Sequence, residues 1–295
     1  MGSETETEGG ALRTFVGLDS DGCVVDTMAA KQHRFLQPML AEMLGLGALR
    51  EVYFQCADFV NLYSETRGIT RFRAVLLSLQ LFNRHPQVRA AGFPGVPLGD
   101  LEAFVASGVP QSSEALEAWL REHPSAFLER LLQWSLAVNA AILKSGTVFP
   151  VYQGAREALQ KMRGRSETGI VSQSPERVLR QDWGSHGLLA FVDHVAGQEM
   201  GDKVAQLTCL TAGRYPRERV LMIGDAPGDL RAARAFGCRF YPILPGHEEA
   251  SWARFNGEIY DLFAGGEYTP ELERACIDVF VSALPSVAPW EEPAK

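Results

Sequence analysis

The sequence predicts an α/β protein: a doubly wound, Rossmann-like parallel sheet whose first strand is followed by an inserted, mostly α-helical domain. Three observations carry this prediction. Short apolar runs bounded by turn residues recur along the chain, as buried strands of a parallel sheet do. From about 148 to 245 those runs alternate with helical stretches, the rhythm of a doubly wound sheet. Between 28 and 147 the text changes to helical periods with few β-branched runs.

Taken in order, residues 1–10 (MGSETETEGG) are acidic and polar and lack an apolar core, so they read as a disordered leader rather than a signal peptide. The run TFVGLD (14–19) is the first strand, and residues 11–27 open the core. The inserted domain covers 28–147, with helical periods over 31–44, 71–82, 113–122 and 125–143. Ser112 or Ser113 can cap the third of these, and Pro94, Gly95, Pro97 and Gly99 mark a loop. The core resumes over 148–284. There Ala155, Ala158, Leu159 and Met162 share one helix face, and 168–172 is the next strand. Helices over 175–182 and 204–211 lead to the strand 219–225. A helix over 230–237 follows Asp229 and ends on Gly237, a residue suited to the left-handed turn after a helix. The strand 239–244 and helices near 248–263 and 270–284 complete the core, and 285–295 (PSVAPWEEPAK) reads as a frayed tail.

A chain of 295 residues fits one large or two ordinary domains at roughly 150 residues each. With 46% apolar and 22% charged residues it has the balance of a globular protein able to bury a core without staples. The net charge of -8 disfavours a nucleic-acid partner, while a local cation can still admit an anionic substrate. Five cysteines, at 23, 56, 209, 238 and 276, form no CxxC, which argues against a disulfide framework and for a reducing compartment. His247-Glu248-Glu249 begins like HExxH, but Ser251 stands where the second ligand belongs. No apolar run reaches 18 residues, so no membrane span is expected. The expectation is a cytoplasmic monomer or homodimer.

The densest chemistry is DSDGCVVD (19–26), three carboxylates within eight residues at the end of a strand. Ligands of open α/β sheets bind in the crevice at such strand ends. A second group, GDAPGD (224–229), ends another strand. If the two strands are adjacent, Asp19, Asp21, Asp225 and Asp229 converge with a formal charge of -4, which a divalent ion and one lysine would bring near neutrality. Hard oxygen donors select Mg²⁺ over Zn²⁺. An Asp-rich turn can also be a calcium loop, but counting twelve from Asp19 reaches Ala30 where an acidic ligand is required.

The order LDSDGCVVDT, IVSQS, a lone lysine and IGDAPGD resembles the haloacid dehalogenase-like hydrolase superfamily over roughly 11–27 and 148–245. The resemblance implies that Asp19 is the nucleophile and Asp21 the general acid/base. It implies that Ser172, Gln173 and Lys203 bind the phosphoryl group, and that Asp19, Asp21, Asp225 and Asp229 serve the Mg²⁺ site. Lys203 is the only lysine between Ser172 and Asp225, although Val204 follows it where the family often has Pro. A protonatable Asp two residues after the nucleophile implies phosphate esters rather than dehalogenation or phosphonate cleavage. The implied activity is a phosphoric monoester hydrolase acting on a small phosphorylated metabolite through an aspartyl-phosphate; a phosphomutase, or a binding module that retains the fold, remains an alternative.

The inserted domain resembles a cap, the type of element that closes over a site and selects the leaving group. Its most basic short run, RGITRFR (67–73), makes Arg67 and Arg71 candidates to reach over the phosphate, with Lys144 a further one. Nucleotide-binding and serine-hydrolase readings fail on residues: GxxxxGK[ST] is missing, the glycines at 45 and 47 lack the third of GxGxxG, and Leu18 stands where GxSxG needs Gly.

Overall fold

The computed structural model describes residues 14–291. The leader expected over 1–10 lies outside the described residues.

Five strands form one parallel sheet: β1 Phe15–Leu18, β2 Glu167–Val171, β3 His194–Ala196, β4 Val220–Gly224 and β5 Arg239–Pro242. Their spatial order is β3-β2-β1-β4-β5. β1 and β4 are buried along their whole length, which is why they read as continuous apolar runs. Alternate side chains feed two core clusters. Val16, Leu18, Ile170 and Ile223 face one side with Trp183 and Trp252, while Phe15, Val171, Val220 and Met222 face the other with Leu207 and Phe280.

Register positions the site. Leu18 pairs with Ile170 on one side and with Ile223 on the other. Asp19, Ser172 and Asp225 therefore leave three neighbouring strands at the same edge. The order reverses between β1 and β4, so this edge is the switch point where a crevice opens.

Between β1 and β2 the chain builds a separate apolar cluster that includes Leu40, Phe72, Leu79, Phe82, Phe104, Leu131 and Trp134. Three helical segments, Met28–Lys31, Gln32–Leu36 and Gln37–Leu44, run end to end, the middle one a π-helix. Helices Arg71–Arg84, Ser113–Glu122 and Ala126–Ser145 lie where the periodicity places them. Ser112 Oγ caps its helix by accepting from Ala115 N at 3.2 Å.

Some elements were not anticipated. Helix Arg50–Leu62 buries Val52, Cys56, Phe59 and Val60, a helical period hidden in aromatic and β-branched text. Pro86–Ala90, Gly99–Ala106 and β3 are short. The tail is not frayed over 285–291. Ala288 is buried within the inserted domain's cluster, Trp290 packs on Phe59 and His85, and Arg84 pairs with Glu291. The apolar Ala288 and Trp290 supply the burial that orders it. No helix among the described residues is long and apolar enough to cross a membrane. All five cysteines are free thiols.

Candidate active site

Asp19 follows β1, and its backbone N–H donates to the Ile223 carbonyl at 2.9 Å, which ties the residue to β4. The loop beyond it turns tightly: Ser20 N–H donates to Asp19 Oδ1 at 2.8 Å, and Val24 and Val25 N–H both reach the Ser20 carbonyl at 3.0 Å. Two tryptophans lock the loop from beneath, Trp183 Nε1 donating to Ser20 Oγ and Trp252 Nε1 to the Cys23 carbonyl, both at 2.9 Å.

Asp19, Asp225 and Asp229 are all buried and each brings an oxygen within 4.8 Å of the other two. Lys203 bridges this trio, with Nζ 2.9 Å from Asp19 Oδ2 and also on Asp229 Oδ1. Asp229 Oδ2 accepts from Ala226 N–H at 3.0 Å, which fixes it at the start of helix Pro227–Phe236. Burial pushes the Asp19 carboxyl well up; Lys203 opposes, and Asp229 and Asp225 add to the rise. Asp225 is raised by burial and by Asp229 against the opposing Arg67. Burial would lower the Lys203 ammonium, but its two carboxylates outweigh that and hold it charged.

The trio fits a small, hard divalent cation. All its donors are carboxylate oxygens, and Asp225 Oδ1 is buried with no hydrogen-bond partner. An orphaned anionic oxygen beside two further carboxylates is a place where positive charge is missing.

Asp21 does not join the trio. Its Oδ1 accepts from Lys31 Nζ at 2.7 Å and from Thr27 Oγ1 at 2.5 Å, and its Oδ2 from Ser174 Oγ at 2.6 Å. Burial would raise its carboxyl, but Lys31 and the hydrogen bonds from Ser174 and Thr27 hold it down at about 2. The expected convergence of four carboxylates is thus corrected to three, because Asp21 has partners of its own. Asp26 stands further off, accepting from Tyr152 Oη at 3.1 Å.

Ser172 is buried at the end of β2 and lines the same cavity, its Oγ accepting from Ser174 N–H at 3.2 Å. Gln173 lines the cavity too, but it is exposed and its amide donates to the Gly201 carbonyl at 3.2 Å.

The two cap arginines part company. Arg67 is buried, and its Nε and Nη2 reach Asp225 Oδ2 at 2.7 and 2.6 Å, while Nη1 donates to the Leu62 carbonyl at 2.9 Å. It lies neither in solvent nor over an open phosphate site; it is locked onto one of the trio. Two glycines permit this approach. Gly22, at φ 79°, would place a Cβ 2.5 Å from Asp225 Oδ2 and 2.6 Å from Arg67 Nη2; Gly68, at φ 76°, would place one 2.7 Å from Ala226 Cβ. Arg71 faces the cavity instead, and Lys144 is exposed at the far end of its helix. Lys31, Thr27 and Ser174 escaped the sequence reading; only the closeness of Thr27 and Lys31 to the acidic loop offered a signal.

A family model described as haloacid dehalogenase-like hydrolase matches residues 16–237. No curated protein matches the chain. Among solved structures it is similar to a haloacid dehalogenase-like family hydrolase from Xanthomonas campestris, at 14% identity over 88% of this chain and 99% of that one, with a TM-score of 0.48. It is also similar to a phosphoglycolate phosphatase, so described by prediction, from Haemophilus somnus (13% identity, 78% and 85% covered, TM-score 0.47). A third is the HAD-hydrolase YfnB from Bacillus subtilis, bound to magnesium (14% identity, 78% and 86% covered, TM-score 0.45).

Proposed function

The chain belongs to the haloacid dehalogenase-like hydrolase family, and on that premise we propose that it is a Mg²⁺-dependent phosphatase that hydrolyses a small phosphorylated metabolite through an aspartyl-phosphate on Asp19. One arrangement carries the reading: Asp19 and Asp229 share Lys203, beside an Asp225 oxygen with no partner. Asp19, Asp225 and Asp229 would hold the ion, which when bound supplies charge neutralisation for the phosphoryl oxygens. Lys203 and the Ser172 hydroxyl orient those oxygens at the strand ends.

In the first step an Asp19 carboxylate oxygen attacks phosphorus. The bond to the leaving oxygen breaks, and that oxygen keeps the electron pair and takes a proton from the Asp21 carboxyl. In the second step water attacks phosphorus and gives its proton to Asp21. The Asp19–phosphorus link breaks, its electron pair returns to the carboxylate, and inorganic phosphate leaves. With Lys31 in contact Asp21 stands ionised, the form the second step uses; the first step requires that contact to break.

The test is hydrolysis of p-nitrophenyl phosphate with and without Mg²⁺. We expect turnover that depends on the ion and falls by roughly 10³-fold or more in Asp19→Asn. Turnover retained in that variant would overturn the assignment. A binding module that keeps the fold is the second reading, favoured by one observation: each of the four carboxylates is already paired with a cation of the protein, Lys203, Lys31 or Arg67. It predicts no ion-dependent turnover from any phosphate ester.

A further inference from the structure

The space above the carboxylates is larger and more apolar than a phosphoryl group requires. The cavity measures about 610 Å³, the size of a site for a drug-sized ligand rather than for a two- or three-carbon one. Its floor is the acidic trio with Ser172 and Lys203. Its opposite wall comes from the inserted domain and is built of Met28, Leu36, Tyr53, Ile69, Val75 and Trp134. An apolar wall of this extent, two of its members aromatic, suits a ring more than a short polar chain.

One cation interrupts that wall. Arg71 opens the helix Arg71–Arg84 and lines the cavity. Its Nη1 donates to the Ser135 hydroxyl at 2.7 Å and the Ser135 carbonyl at 3.1 Å, its Nη2 to Asn139 Oδ1 at 2.9 Å, and its guanidinium lies 5.9 Å from the Trp134 ring centre. These partners are neutral, and among the described residues no carboxylate lies within 4.0 Å of it. Burial accordingly lowers its pKa, with no charge to offset the shift. Arg67, four residues earlier, has its carboxylate; Arg71 has a cavity and the positive end of a 14-residue helix. A half-buried cation that lines a cavity and is held only by neutral partners, with no counter-ion, is a receptor for an anion.

We propose that the leaving group of the substrate is ring-bearing and carries an anionic group of its own, the ring packing on Trp134 and Tyr53 and the anion pairing with Arg71. This inference rests on the phosphatase reading for its reaction, but not for its binding.

Three esters with alkoxide leaving groups of similar basicity separate the contributions: ethyl phosphate, benzyl phosphate and 4-carboxybenzyl phosphate. We expect kcat/KM to rise by about tenfold or more from the first to the second, and by about tenfold again to the third. Arg71→Met should bring the ratio of the last two close to one, while Arg71→Lys keeps part of it. Trp134→Ala should shrink the ratio of the first two, and Trp134→Phe should preserve most of it. Ethyl phosphate used as efficiently as benzyl phosphate, or a carboxylate preference that survives Arg71→Met in a folded variant, would overturn the proposal. Calorimetry with the product alcohol 4-(hydroxymethyl)benzoate decides the case in which no ester is hydrolysed. Binding that weakens in Arg71→Met upholds the pocket while the phosphatase reading fails; no binding to the wild-type chain overturns the pocket itself.

Discussion

Asp21 has both oxygens engaged, by Lys31 and Thr27 on one side and by Ser174 on the other. Burial would on its own raise its pKa, and the local cation at 2.7 Å, helped by the two hydroxyl donors, outweighs it because charges interact strongly where water is partly excluded. Lys31→Met should therefore lift the Asp21 carboxyl from about 2 towards or above its ordinary value of 3.8. A carboxyl ¹³C titration reads this directly, and an unmoved midpoint would mean that the two hydroxyl donors suffice. Neither Lys31 nor Ser174 was legible as a site residue. Ser174 lies 153 residues from Asp21 in sequence, and the closeness of Lys31 to the acidic loop, ten residues on, becomes a pairing only once the intervening turn is known. Asp19 and Asp225 were legible because each follows a strand in local text, whereas Lys203 was reached through the family resemblance, as the single lysine between Ser172 and Asp225.

At the scale of elements, the segment after helix Arg50–Leu62 delivers Arg67 onto Asp225, while helix Arg71–Arg84 turns Arg71 into the cavity. The sequence run 67–73 gives both arginines equal standing; the left-handed turn at Gly68 and the extended Thr70 before the helix lie between them and separate their directions. Removing one partner of a buried pair leaves the other charge uncompensated, so Arg67→Met should lower stability by about 3–5 kcal/mol without added ion. If Arg67 and a divalent ion share Asp225, Mg²⁺ should then raise the melting temperature of the variant more than that of the wild type, since binding to the folded state stabilises by mass action. Equal ion-induced shifts in the two proteins would show that they do not share it.

Across the whole molecule, the chain crosses from sheet to inserted domain more than once. After helix Pro270–Ser282 it returns to the inserted domain, where Pro285 O accepts from Glu65 N–H at 3.3 Å, and Trp290 sits 6.0 Å from Phe59 and 5.2 Å from His85 between ring centres. This strap and the Arg67–Asp225 pair hold the inserted domain against the sheet at separate points. Ending the chain at Leu284 should speed amide exchange in helices Arg50–Leu62 and Arg71–Arg84 while leaving β1 and β4 protected. Unchanged exchange in both helices would mean that the strap carries no restraint.

By itself the sequence determined the parallel sheet, the helical insertion and the acids at the strand ends, because buried strands and the turns that close them are written in contiguous residues. The tertiary structure alone decided which charges meet. Asp21 left the trio for Lys31, Arg67 took Asp225, Arg71 kept a cavity without a counter-ion, and the tail joined the inserted domain. Most of those choices pair residues far apart in the chain, 158 positions for Arg67 and Asp225, and all of them depend on burial, which strengthens each pairing and is a property of the packed molecule rather than of any segment.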